Sequence, residues 1–399
     1  MIGIRSITVG LDNGKSPSHD YGKELPKFFG LCESEFGDNN LKIRTKRLVT
    51  SPINKSQNFT LQSSQSKVRW ISDLASNIGI RWFCIPFDCS GSENNNKLNF
   101  DTAFSILDRN PNAFVNIIVS SKGHYNNDSI KRSAELIRRV SNLNSNGFDN
   151  FRLGISANPK PNTPFFPYSF HQGSNSFSIA LETVNLFVDV IGANSKLSLK
   201  SISELLIEKL SGELRKLGEI TENIESKSNL RFSGFDASLA PFPDGKESVG
   251  LLYEMLGLSD FGSSGTVFCT EFLTNVIKQS LVESGVESTG FNGVMLSVLE
   301  DDLLAKRASE KNYTIDSLSL FSTICGCGLD MIPIPGDTLS EEIASMIFDI
   351  NAISTRLDKP LGIRLLPIPS KGANEMTDFN YDFLIDTRVM DIRNKFFNL

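Results

Sequence analysis

Two aspartates stand in the most site-like stretches of this 399-residue sequence, Asp236 in FSGFDASLAP and Asp330 in GLDMIPIPGDT. A carboxylate inside an apolar strand is costly unless it has a partner or sits at a strand end facing a pocket. Two such carboxylates from different strands make an acid/base pair or a cation site. The plainer reading of Asp330 is a turn residue bonding nearby amides, and Asp337 reads as a helix cap. His171, in SFHQG, is a third candidate for proton transfer, weighed against a purely structural hydrogen bonder. Gly262, Ser263, Ser264, Gly265 and Thr266 precede a predicted helix, where amides and hydroxyls either hold a substrate anion or simply cap the helix. Cys325 and Cys327 are spaced to share one strand face, and a single thiol pair is read as small core residues rather than as a metal site.

These residue types point to hydrolase or lyase chemistry by carboxylates on a small polar or anionic metabolite. No organic cofactor is called for, and a divalent cation is left open. The alternative is a non-catalytic binding or regulatory protein using the same pocket. Nucleotide fingerprints of the GxGxxG and GxxxxGK[ST] types are absent from the sequence, as is a GxSxG elbow.

The candidates must be held by strands and the turns that leave them. Strand-like runs occur at 2–9, 43–49, 80–87, 113–121, 151–157, 177–182, 230–236, 293–298, 326–333 and 361–368. Helical patterns separate most of them, at 21–36, 68–78, 102–107, 130–143, 201–225, 247–256, 267–281, 315–324 and 339–351. Loops of turn composition are expected at 10–18, 57–66 and 90–99. Asp101 reads as the N-cap of the short third helix, and Asp337 or Thr338 as that of the last. This alternation is an α/β pattern with a mostly parallel sheet, closed either as an open doubly wound sheet or as a barrel. The run 158–175 carries four prolines and three phenylalanines, too apolar for a solvent loop, and is expected to fold over the body as a lid or wall. The tail 374–399 is irregular, and the whole chain reads as one domain.

There are 40 basic and 46 acidic residues, a formal net charge of -6, which argues against nucleic acid as a partner. The one compact basic run, Lys42 to Arg47, is read as the solvated face of a strand. No apolar run reaches the ~20 residues of a membrane helix. A cytoplasmic protein with reduced, buried cysteines and a small-molecule ligand is expected, and a homodimer is left open.

Two long stretches carry a family resemblance. FSTICGCGLDMIPIPGDTLSEEIASMIFD and DASLAPFPDGKESVGLLYEMLGL resemble an uncharacterised prokaryotic family, DUF711, also labelled "PFL family protein". The segments 262–266 and 157–173 resemble two further family segments. The resemblance implies an α/β barrel of about ten strands, similar to pyruvate formate-lyase, and implies no activity. Glycyl-radical chemistry is rejected, because Arg388-Val389-Met390-Asp391 has Asp where the radical glycine would stand. Where the family has an acidic residue after its histidine, this chain has Asn175, while the acidic pair Glu300-Asp301 is retained.

Overall fold

The computed structural model describes residues 2–12, 20–53, 61–91 and 96–392. Ten strands form one sheet: β1 (Gly3–Leu11), β2 (Ile43–Thr50), β3 (Trp82–Asp88), β4 (Ala113–Ser121), β5 (His124–Tyr125), β6 (Leu153–Ala157), β7 (Ser176–Glu182), β8 (Arg231–Asp236), β9 (Gly328–Pro335) and β10 (Leu361–Ile368). Eleven helices flank them among the described residues: α1 (Tyr21–Gly37), α2 (Leu61–Asn77), α3 (Asn96–Arg109), α4 (Asn127–Ser141), α5 (Val184–Ala193), α6 (Leu199–Lys227), α7 (Val249–Met255), α8 (Thr266–Ser284), α9 (Asp302–Ser309), α10 (Ile315–Phe321) and α11 (Ser340–Leu357).

The strand order is β8-β7-β1-β2-β3-β4-β6-β10-β9, with β5 attached to β4. The strands β1, β2, β3, β4 and β6 are parallel to one another. The pairs β7–β8 and β9–β10 are each parallel, and they join the first group through antiparallel contacts β1–β7 and β6–β10. Both faces of the sheet are covered at its centre, where all of β10, and β4 up to its last residue, are buried.

The α/β class is as expected, but the ladder does not close into a barrel. Its edges are β8 and β9. The segment 287–297 lies between them and touches each by isolated bridges, Phe235 to Ser288, Leu239 to Val294 and Ser297 to Asp330. The strand expected at 293–298 fails for a local reason. Gly290 (φ 81°) and Asn292 (φ 49°) turn the backbone out of the extended region, and a 3-10 turn follows at Val298–Glu300.

Several local expectations change. The helix expected at 102–107 runs over Asn96–Arg109, so Asp101 is interior and pairs with Arg139 at 2.9 Å. Helix α2 begins at Leu61, inside the expected loop 57–66, and α5 and α9 are additional. Neither Asp337 nor Thr338 caps α11; Leu339 is the N-cap residue, and the Glu342 carboxylate accepts from its amide at 2.9 Å. Residues 13–19, 54–60, 92–95 and 393–399, within the loops and tail expected there, lie outside the described residues.

The Pro/Phe-rich run is not an outer lid. It passes along the inner side of the sheet. The Pro164 carbonyl accepts from Ser6 (3.5 Å), Thr8 (3.2 Å) and Arg47 (3.3 Å) of β1 and β2. The Ser169 carbonyl accepts from Asn116 of β4 at 3.3 Å, and Tyr168 donates to Asp330 of β9 at 2.6 Å. One loop reaches strands from both halves of the sheet because the sheet wraps around it. The described part of the chain behind β10 packs Phe379, Leu384 and Val389 with Leu299, Met331 and Leu366 into a small second core.

Candidate functional site

Beside this loop the sheet encloses a cavity of about 290 Å³. Five arginines line it, Arg5, Arg44, Arg47, Arg81 and Arg364, against two carboxylates, Glu300 and Asp330. Each guanidinium lies over an aromatic ring: Arg5 over Phe165 at 5.9 Å, Arg44 over Phe242 at 4.0 Å, Arg47 over Phe166 at 5.1 Å, Arg81 over Trp82 at 4.1 Å and Arg364 over Phe151 at 5.3 Å. The rings keep the planar cations flat against the wall, and the stacking offsets part of the cost of removing them from water. Below them Val49, Cys84, Phe114 and Phe166 form a separate apolar cluster.

The arginines differ in what neutralises them. Arg364 grips Asp330 through Nε (2.8 Å) and Nη2 (2.9 Å), and Nη2 also reaches Glu300 at 3.0 Å. Arg44 pairs with Glu182 at 2.5 Å and Glu247 at 3.2 Å. Arg5 and Arg47 have no carboxylate at ion-pair distance among the described residues. Arg5 donates to the carbonyls of Ala240 (3.3 Å) and Pro241 (3.0 Å). Arg47 donates to the Thr45 hydroxyl (3.1 Å) and the Pro164 carbonyl (3.3 Å). Carbonyl dipoles satisfy the N–H groups without cancelling the charge. Burial, and then the like charge of Arg5, bring Arg47 down to about 9. Burial also lowers Arg5, opposed most by the field of Glu300.

Asp330 lines this cavity from inside β9, its third residue beside the register shift against β10, rather than from a strand end. The other sequence candidates do not. Asp236 is fully buried at the end of β8. Its Oδ1 accepts from the Ser238 amide (3.0 Å), the Ser238 hydroxyl (2.5 Å) and the Asn292 amide (3.2 Å), and its Oδ2 from the Phe291 amide (2.7 Å). Burial raises Asp236, and these four bonds oppose the rise. It staples the segment 287–297 to β8. His171 is buried between Asn162 (2.9 Å from Nδ1) and the Gly173 carbonyl (3.0 Å from Nε2). It fits against β1 only because residue 10 is glycine: a Cβ there would come within 2.1 Å of Nδ1. Burial lowers its affinity for a proton.

The segment 262–266 closes on itself. The Thr266 hydroxyl accepts from the Gly262 amide (3.0 Å) and donates to the Ser263 carbonyl (2.8 Å), while Ser263 Oγ donates to Asp260 O (2.6 Å). Gly265 is the N-cap residue of α8. Cys325 and Cys327 are buried. Hydrogen bonding between them lowers Cys325, aided by Lys359, and raises Cys327. Among the described residues no group of three or more His, Cys, Asp or Glu side chains is placed to hold a metal. The two aspartates are not set up to share a cation, since the fixed charge of Arg364 covers both oxygens of Asp330.

The residues missed from sequence are Arg5, Arg44, Arg47, Arg364 and Glu300. The run Lys42–Arg47, expected as a solvated face, is divided: Lys46 points out to Glu33 (2.5 Å), while Arg44, Thr45 and Arg47 reach the cavity, so residues of both strand parities line it. The retained acidic pair is divided too. Glu300 lines the cavity, whereas Asp301 is buried and accepts from Ser248 Oγ (2.7 Å) and the amides of Val249 (2.5 Å), Gly250 (3.2 Å), Leu303 (3.0 Å) and Leu304 (3.0 Å). It caps α7 and α9 at once.

The family model described as "Uncharacterised ACR (DUF711)" matches residues 1–380. The chain is 30% identical over 260 residues to a UPF0210 protein of Pyrobaculum aerophilum, a match covering 64% of this chain and 56% of that one. It is 27% identical over 266 residues to a UPF0210 protein of Neisseria gonorrhoeae, covering 66% and 59%. Over a longer span it is 24% identical to a UPF0210 protein of Actinobacillus pleuropneumoniae, 404 residues covering 94% and 87%. Its match thus spans a little over half the length of the first two relatives.

Proposed function

The chain belongs to the DUF711 family, and we propose that it binds a small anionic metabolite in the arginine cavity. The observation that carries this is the pair Arg5 and Arg47, two guanidinium groups in the cavity wall without a carboxylate partner among the described residues. Bringing two like charges together out of water costs several kcal/mol unless an opposite charge joins them. A carboxylate or phosphate supplied by the ligand meets that need and takes up their remaining donors. The cavity volume and aromatic walls suit a ligand of metabolite size with an apolar part.

Thermal-shift titration with inorganic phosphate and with benzoate tests the reading. Either anion at 100 times its Kd adds about 2.7 kcal/mol of stability. Arg47→Gln and Arg5→Gln each remove that gain, and a full gain retained in both variants sinks the proposal.

A second reading, hydrolase or lyase catalysis, draws support from Glu300. Its Oε2 accepts from Ser297 Oγ (2.5 Å) and Arg364 Nη2 (3.0 Å), while Oε1 takes no hydrogen bond from a described residue, and Glu300 is part of the cavity lining. A carboxylate oriented through one oxygen, with the other free of described donors, has the form of a general base. Mass spectrometry of bound ligand after long incubation separates the readings: unaltered ligand favours binding alone, and altered ligand favours catalysis.

A further inference from the structure

The cavity wall carries two charged groups of opposite sign. One is Arg5 and Arg47, positive and without carboxylate partners among the described residues. In the other, Arg364 is shared between Asp330 and Glu300, so that group carries one negative charge in excess. All five side chains line the same cavity of about 290 Å³. The tyrosine that completes the negative group, Tyr168, donates to Asp330 Oδ1 at 2.6 Å and, pushed up by burial and then by Asp330, stays neutral. Both Asp330 oxygens are thus bonded, whereas Glu300 Oε1 accepts from no described residue in a side chain that lines the cavity. The same wall holds aromatic rings, with Phe114, Phe151 and Phe166 in edge and tilted contact.

We infer that the ligand is a free α-amino acid with an apolar side chain: its carboxylate lies on Arg5 and Arg47, its ammonium on Glu300 Oε1, and its side chain on the aromatic wall. This rests on the anion-binding reading above and narrows it. A simple anion brings a charge only to the positive group, whereas a zwitterion brings an opposite charge to each, carried on neighbouring carbons that fit within one cavity of this size.

Calorimetric titration of the full chain with L-phenylalanine, L-leucine, 3-phenylpropanoate, 4-methylpentanoate and inorganic phosphate decides it. The expected result is that at least one amino acid binds about tenfold or more tightly than its desamino acid, because removing the ammonium leaves Glu300 Oε1 without a donor. N-acetyl-L-phenylalanine then binds no better than 3-phenylpropanoate. In Glu300→Gln the preference for the amino acid falls to about onefold, while Arg47→Gln weakens both acids together. Equal or tighter binding of the desamino acids by the wild-type protein overturns the inference without the use of any variant. If phosphate or the desamino acids bind through Arg47 and the amino acids do not, the anion-binding reading stands and this inference falls. If none of the five binds, both fall.

Discussion

Asp330 and Asp236 have the same residue type and the same apolar setting in sequence, yet they do opposite work. The partners of Asp236 are amides and a hydroxyl of its own loop system, so it is saturated before any ligand arrives. Asp330 is bound by a side chain that itself faces the cavity. His171 belongs with Asp236, since both ring nitrogens are occupied and burial lowers its pKa from the ordinary 6.5. The folded state therefore disfavours the imidazolium. Stability linked to His171 is fully present above about pH 6.5 and is lost as pH falls from there through the lowered folded value. Melting temperatures at pH 7.5 and pH 5 are expected to show this loss in the wild-type protein and a smaller one in His171→Asn. An equal loss in both removes His171 from the account. In this chain the histidine segment, including Asn175, which accepts from the Asp12 amide at 2.9 Å, anchors backbone rather than lining the cavity.

At the scale of elements, the irregular segment 287–297 and the 3-10 turn after it do what an eleventh strand would not. A regular strand would pair along β8 and β9 and present alternate residues inward at fixed spacing. The segment instead leaves the ladder at Gly290 and Asn292 and delivers Ser297 and Glu300 to the cavity. Two buried aspartates hold it, Asp236 at its start and Asp301 just past its end. Asp301→Ala strips five donors of their acceptor at two helix starts and is expected to cost about 2–4 kcal/mol of unfolding free energy. Urea unfolding measures it, and a cost below about 1 kcal/mol contradicts the double-cap role. The tail has a comparable part. Phe383 lines the cavity and packs against Phe151 at 5.4 Å and Tyr381 at 5.3 Å. Phe383→Ala opens this wall, so stopped-flow measurement is expected to show faster ligand dissociation, with association changed less. An unchanged dissociation rate means the tail does not close the cavity.

For the whole molecule, charge is distributed against its average. The chain is acidic overall, with a formal net charge of -6. Its cavity nonetheless gathers five arginines around two carboxylates. Such a reversal focuses anions at one place and is screened by salt at the rim more than inside. Among the described residues no helix is long and apolar enough to cross a membrane. The α/β alternation, nine of the ten strands and the family were legible in the linear chain, because periodicity and long motifs are local properties. So was Asp330, whose burial problem is visible from its apolar neighbours. The tenth expected strand at 293–298 was not, since the positive-φ residues Gly290 and Asn292 just before it and the 3-10 turn at its end leave it only isolated bridges. The arginines of the cavity were not legible either. Arg5 is separated from Arg47 by 42 positions and from Arg364 by more than 350, and a basic residue on a strand looks the same whether its face meets solvent or a cavity. Local pattern determined the elements and which residues were costly to bury. Only the wrapping of the sheet around the 158–175 loop decided which charges face one another, because strand alternation sets a residue's face while tertiary closure sets what lies opposite it.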